Sequence, residues 1–337
     1  MTTIKDIARH VGVSPSTVSI VLSGKGNDRN ISKATQEMVF AAAEELAYVP
    51  NLSSKKLRAR ESGTITIELY WGSTEGIELL NIFLRGFEQF RGAGRRHTEL
   101  LINIYEPGTL SANNALQSAM NCNVAIIANP SEEDLRYLNA IEPAVPIILY
   151  NCASDRYSTA RLDDDAVGTT AAEYLYSLGH RSSALITFQH LLPGMKARND
   201  AFLRECARVG IRVEAQDIYR VSANPYASIF EAEQFRLREG GPTVLVISSE
   251  KIAVGFCMEF ARRGIRVPED IQILCCSIGE MEPYLNTPTP ISEIQLPVIR
   301  LAEEAMHMAV ELSQNQKQKR EIFLQAPLVP RASTRPL

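Results

Sequence analysis

Histidines at 10, 97, 180, 190 and 307 and cysteines at 122, 152, 206, 257, 275 and 276 are the side chains best suited to metal ligation, nucleophilic attack or redox exchange. Their spacing supports none of these. The histidines stand far apart, the cysteines show no zinc-type or redox spacing, and Cys275 and Cys276 are adjacent. No P-loop, nucleophile elbow or paired-histidine metal motif occurs. Gly92-Ala-Gly94-Arg-Arg-His97 comes nearest to a dinucleotide fingerprint, but it ends in histidine and follows a helical stretch rather than a strand. Neither an enzyme nor a cofactor is expected. The chemistry that the sequence does support is non-covalent. Residues 1–60 hold nine Lys/Arg against five Asp/Glu, about +4, while the remaining 277 hold 26 against 34, about −8; the net charge is −4. A basic end on an acidic body is the electrostatic footprint of a segment that meets nucleic acid.

The elements that must position this basic end are helical. Thr3 and Asp6 have capping-box spacing, and Ile4, Ile7, Ala8 and Val11 then form one apolar stripe. Gly12 is placed to end that helix, since the residue after a helix often needs a positive φ. Ser14-Pro15 reads as an N-cap with proline at the first helical position, where its missing N–H costs nothing. Val18, Val21 and Leu22 give the second helix its buried side, which leaves Ile20 off that face. Two short helices around a glycine turn are a helix-turn-helix. Ser32 caps a third helix with Val39, Ala42 and Leu46 as its stripe, after a polar turn over 24–32.

Ile4-Lys-Asp-Ile-Ala-Arg-His-Val-Gly-Val-Ser-Pro-Ser-Thr-Val-Ser19 and the run from Ile31 to Asn51 closely resemble the headpiece of the lactose/galactose repressor (LacI/GalR) family of transcriptional regulators. The resemblance covers residues 3 to 60. It implies a second helix in the major groove, with Pro15, Ser16 and Ile20 at specificity positions and Thr17 and Ser19 near the backbone; Thr3 and Ser14 are further candidates for DNA contact, and Arg29 is a candidate for contact with phosphate. Isoleucine at 20 offers only apolar contact, for instance to a thymine methyl. Residues 51–63 resemble the family's hinge, too short and basic to be stable as an isolated helix. The same likeness assigns Asn51, Ser54, Lys55 and Arg58 to DNA, and Leu57 to a wedge between central base pairs.

From Thr64 onward apolar runs alternate with helical stretches. Strands are expected at 65–71, 99–105, 124–129, 146–151, 183–188, 217–221, 243–248, 271–277 and 293–297, with helices at 80–92, 166–178, 196–209, 226–239, 251–263 and 298–313. This alternation predicts an α/β body of parallel sheets, and nine such units exceed one core, so two lobes with a cleft are expected. The predicted organisation is a headpiece at 1–50, a hinge at 51–63 and a body at 64–337. The N-lobe spans about 64–160 plus part of 293–320, and the C-lobe about 161–292 plus the C-terminal strand.

Leu162-Asp163-Asp164, Gly179-His180-Arg181, Arg198-Asn-Asp-Ala-Phe202 and Gly264-Ile-Arg-Val-Pro268 resemble turns of the same family and imply its two-lobed, periplasmic-binding-protein-like fold. Carried over by position, Arg198 holds a ligand, with Asp164 as a further candidate; Tyr70, Trp71 and Asn151 end strands at the carboxyl rim where such folds bind ligands. Two departures alter the expected chemistry. Glu250 stands where relatives carry an aspartate, and Cys275-Cys276-Ser277 stands where they carry Gly-aromatic-Asp, so one acceptor carboxylate for sugar hydroxyls is replaced by Ser277. The expected protein is a dimeric, effector-modulated repressor at a palindromic operator, with a sugar or related metabolite in the cleft. The alternatives are a solute-binding module, or a regulator whose cleft no longer answers a small molecule. No apolar run approaches the roughly 18 residues of a membrane span, and the N-terminus lacks a signal-peptide pattern, so a cytoplasmic location is expected.

Overall fold

The structure, a computed structural model, describes residues 4–22, 26–46, 64–72, 77–92, 98–112, 116, 122–222, 227–278, 287–315 and 318–337. Two compact units emerge, Met1–Thr64 and Ile65–Leu337.

The first unit holds α1 (Ile4–Val11), α2 (Pro15–Leu22) and α3 (Lys33–Glu45). Ile7, Ala8, Val18, Val21, Val39 and Ala42 close its core. Local chemistry sets the bends between helices. Gly12 adopts a φ of 76°, which lets its N–H and that of Val13 both reach the Ala8 carbonyl, at 2.9 and 3.1 Å. Ser14 Oγ accepts the Thr17 N–H at 3.1 Å, and Ser32 Oγ accepts the Thr35 N–H at 3.2 Å. Both predicted caps are therefore made. The Thr3 cap lies outside the described residues.

The second unit runs β1 (Ile65–Trp71), α4 (Ile77–Gly92), β2 (Thr98–Ile104), β3 (Val124–Ala128), α5 (Glu132–Ala140), β4 (Ile147–Tyr150), β5 (Ser158–Leu162), α6 (Asp164–Ser177), β6 (Ser183–Phe188), α7 (Pro193–Val209) and β7 (Ile218–Val221). It continues through α8 (Ala227–Gln234), β8 (Val244–Ile247), α9 (Glu250–Arg262), β9 (Gln272–Ser277), β10 (Ser292–Gln295), α10 (Val298–Gln314), β11 (Glu321–Leu324) and β12 (Leu328–Val329). The strands form two six-stranded sheets, β11-β5-β4-β3-β1-β2 and β12-β10-β9-β8-β6-β7. Every pairing is parallel except β12 with β10. The central strands β1, β3, β4 and β8 are buried along their whole length, as strands covered on both faces must be. Between β5 and β6 the chain passes from the first sheet to the second. It returns through α10 to β11 and crosses again to β12, so three connections join the lobes.

Several elements differ from the sequence-based expectation. Of residues 293–320, part of which is expected in the N-lobe, β10 pairs with β9 in the second sheet, whereas α10 packs on α4 and leads into β11 of the first sheet. Strands β5 and β11 lack apolar runs: β5 buries Ser158 and Thr159, and β11 is half-exposed at a sheet edge. Helix α5 hides its stripe among four charged residues in nine; a capping box between Ser131 and Asp134 starts it. Helix α8 stops at Gln234 instead of 239, because Phe235 turns into the core and Arg238 forks onto both oxygens of Asp217 at 2.8 Å.

Candidate nucleic-acid interface and ligand cleft

In the headpiece, Pro15 and Ser16 of α2 are exposed, while Thr17, Ser19 and Ile20 are half-buried. Ser14 and Arg29 are exposed. Ser14 Oγ also lies 2.8 Å from Thr17 Oγ1, so those two hydroxyls serve the helix start. Thr3, Asn51, Ser54, Lys55, Leu57 and Arg58 lie outside the described residues.

In the body, register aligns the strand ends. Trp71 pairs with Ala128, Ala128 with Tyr150, and Tyr150 with Ala160. The residues one step beyond, Asn129 and Asn151, turn off the sheet with φ of 50° and 57° and form a rim at its carboxyl end. Such left-handed conformations are uncommon outside glycine, and asparagine tolerates them best. Trp71 is enclosed, edge-on to Phe83 with centroids 6.0 Å apart, and its Nε1 has no acceptor among the described residues. Tyr70 points the other way. Alternation along β1 sends it to the opposite face, into the core with Leu110 and Leu116, so it is not brought together with Arg198. Burial, aided by the charge of Glu68, pushes its phenol pKa up.

The second lobe meets this rim through the starts of two helices. Asp163 caps α6, accepting the Ala166 N–H at 3.0 Å, which leaves Asp164 as the first helical residue. Arg198 sits one turn into α7. Its Nε–H is aimed at the Gly194 carbonyl, 3.3 Å away, and the same Nε stands 2.7 Å from Asp164 Oδ1. The contact is thus an ion pair whose hydrogen points elsewhere, which agrees with Oδ1 having no hydrogen-bond partner. Burial raises the pKa of Asp164, and the nearby guanidinium opposes that rise without cancelling it. Gly194 makes the junction possible: a Cβ there would lie 2.6 Å from Asp164 Oδ2 and 3.4 Å from Asn151 Nδ2. Gly168 does the same for the helix pair, since a Cβ on it would fall 2.3 Å from the Arg198 carbonyl oxygen. Asn151, Asp164 and Arg198 are therefore brought together. Cys276 joins them: its buried thiol feels the charges of both Arg198 and Asp164. The sequence marked residue 276 only as a departure from relatives, not as a neighbour of Arg198.

Glu250 and Ser277 form a separate, inward group. Glu250 opens α9 after the Ser249 cap, and its Oε2 accepts the Ile278 N–H at 2.7 Å. Oε1 has no partner among the described residues. Burial pushes the pKa of this carboxyl up, and Glu293 adds to the rise against the Ile278 N–H. Ser277 is wholly buried and donates its Oγ–H to Glu293 Oε2; Glu293 Oε1 in turn pairs with Arg331 at 2.5 Å. Among the described residues no group of three or more His, Cys, Asp or Glu is placed to hold a metal ion. Nor is any helix there long and apolar enough to cross a membrane.

Known proteins are similar to both units of the chain. The family model for bacterial regulatory proteins of the lacI family matches residues 3–51, and that for the periplasmic binding protein-like domain matches residues 172–334. The chain is similar to the HTH-type transcriptional repressor PurR of Photobacterium profundum, 26% identical over 344 residues with 100% of both chains covered. It is also similar to the HTH-type transcriptional regulator AscG of Escherichia coli, 27% identical with 90% of each covered. Among solved structures, a LacI family transcription regulator from Clostridium acetobutylicum superposes with a TM-score of 0.74 at 26% identity, covering 79% of this chain and 99% of that one. The lac repressor dimer bound to operator and the anti-inducer ONPF superposes at 0.68 with 22% identity, covering 99% of both chains; at that identity the likeness is one of fold.

Proposed function

We propose that the chain, which matches the model for bacterial regulatory proteins of the lacI family over residues 3–51 and is similar over its whole length to the repressor PurR, is a sequence-specific repressor of that family, not an enzyme. It acts in the cytoplasm as a homodimer on palindromic DNA, under the control of a small molecule in the body. The observation that carries the reading is a helix-turn-helix with its own core and an outward α2 surface, set in the basic end of an acidic chain. One such head reads a half-site, so a two-fold pair is needed for a palindrome. Exposed Leu101, Ile102 and Ile104 on the edge strand β2, with Phe230 on α8 and Met258 on α9, are apolar surface that a second copy would cover.

Arg198, Asp164 and Asn151 are the residues we assign to the ligand. They sit where the lobes are joined by three connections, so a ligand that prefers one lobe arrangement shifts the population toward it. The hinge at 51–63 then transmits the change to the heads, with Leu57 as the wedge. The test is duplex selection from a random pool by the full-length protein, followed by binding at two salt concentrations. Affinity should fall steeply as salt rises, because phosphate contacts release counterions; failure to select any duplex would sink the proposal.

A second reading has an observation in its favour. Asp164 already supplies a carboxylate at 2.7 Å from the Arg198 guanidinium, so the cleft holds an internal anion where a ligand oxygen would go. A regulator with such a cleft could have lost its response to small molecules. Thermal-shift screening of sugars, phosphosugars, nucleobases and amino acids separates the two readings. A ligand whose shift vanishes in Arg198→Ala supports the effector reading, and a screen with no shift favours the unresponsive cleft.

A further inference from the structure

We propose that α2 reads its operator through the methyl groups of thymine, with Ile20 as the specificity-determining contact, and makes little use of hydrogen bonds to base edges. The inference rests on the DNA-binding reading above. Helix α2 runs Pro-Ser-Thr-Val-Ser-Ile-Val-Leu. It contains no arginine, lysine, asparagine, glutamine, aspartate or glutamate, the side chains that form directional pairs with guanine, adenine or cytosine in the major groove.

What the helix does offer is narrow. The Thr17 hydroxyl is occupied with Ser14 Oγ, which also accepts the Thr17 N–H, so both oxygens serve the cap. Ser16 is exposed and Ser19 half-buried, but a hydroxyl both donates and accepts and so accommodates more than one base. Val18 and Val21 are sealed in the core, and Leu22 packs against that core. Ile20 is half-buried and stands outside that core cluster. An aliphatic side chain pressed on a base edge gains contact from the thymine methyl. Against a G·C pair it strips water from a polar edge and returns no hydrogen bond. Discrimination therefore comes from apolar contact at an A·T pair and from exclusion of G·C there.

Uracil tests this directly, because it pairs as thymine does and lacks only the major-groove methyl. Minor-groove contacts, such as those assigned to the hinge, are left alone. Full-length protein would select duplexes from a thymine-containing random pool and from a matched uracil-containing pool. Within the recovered site, an A·T pair should recur at one position of each half-site. Replacing that thymine by uracil should lower affinity about fourfold per half-site, the worth of one buried methyl-sized group. Ile20→Ala should abolish this sensitivity, and Ile20→Val should retain it. G·C at the position, equal binding of uracil and thymine sites, or full sensitivity in Ile20→Ala would each overturn the proposal. The uracil comparison uses unaltered protein, so it does not depend on how the variants fold. Recovery of no site from either pool would instead sink the DNA-binding reading, and this inference with it.

Discussion

The headpiece and the body solve opposite problems with their polar residues. In the headpiece, apolar residues at helical spacing close a core of six buried side chains among the described residues, and Ser14, Pro15, Ser16, Thr17, Ser19, Ile20 and Arg29, assigned to DNA, are left on or near the surface. In the body, charged groups are drawn inside: Arg198, Glu250 and Glu293 are buried, and Asp164 is nearly so. An exposed contact residue costs the fold little and can vary freely. A buried charge must be balanced by its neighbours, so changing one member disturbs the rest. The headpiece can therefore change what it reads without changing its fold, whereas the body cannot change what it binds so cheaply.

The largest expected effect breaks the headpiece alone. Ile7→Ala removes a fully buried side chain from a very small core and should cost about 3 kcal/mol, comparable to the whole stability of a unit of this size. Binding to a selected duplex, followed by fluorescence anisotropy, should be lost while the melting transition of the body is unchanged. A parallel shift of both transitions would show that the two units do not melt independently.

Next comes the buried pair in the body. Arg198→Ala removes the cation that stands 2.7 Å from Asp164, and should destabilise the body by about 2 kcal/mol after allowance for partial solvent access. Calorimetry should show a fall in Tm of roughly 4–8 °C, with non-specific DNA affinity untouched. A smaller effect of opposite sign is expected at Glu250. Its pKa is raised in the folded state, so the folded protein holds the proton more tightly than the unfolded chain. That contribution is fully present below the ordinary glutamate range and is lost as pH rises through the folded pKa. Glu250→Gln keeps an acceptor for Ile278 N–H without the buried charge. It should stabilise the body at neutral pH by about 1 kcal/mol and flatten its stability profile above pH 4.5. A loss of stability at neutral pH would contradict this.

The smallest effect concerns the surface. Arg266 donates to Asp270 from its backbone and side chain and holds that carboxyl pKa down to about 2. Any stability it adds is present above the ordinary aspartate range and lost as pH falls toward about 2. NMR titration of Arg266→Ala should move the Asp270 pKa part of the way back up, since the backbone N–H of residue 266 still donates to it, with little change in Tm.

How much could be read in advance follows the same division. Gly12, Ser14-Pro15 and Ser32 act within one turn of their own position, so the three helices and their core were legible from spacing alone. In the body, strands such as β1 and β6 announce themselves as continuous apolar runs, and both begin and end where the sequence placed them. Strand β5 buries serine and threonine, and β10 joins the second sheet through a pairing that no local signal specifies. Of the residues that the sequence assigned to a ligand, Arg198, Asp164 and Asn151 are the ones the structure brings together. That Tyr70 faces away from Trp71 follows from strand alternation. That Ser277 is taken by Glu293, and that Cys276 lies beside the Arg198 pair, depends on contacts between segments distant in sequence.

The most direct measurement is the affinity of the full-length protein for a selected palindromic duplex against a scrambled duplex of the same length, at about 0.15 M salt. Binding at least about a thousandfold tighter to the selected site is expected of a sequence-specific reader. Equal affinity for both duplexes would contradict it.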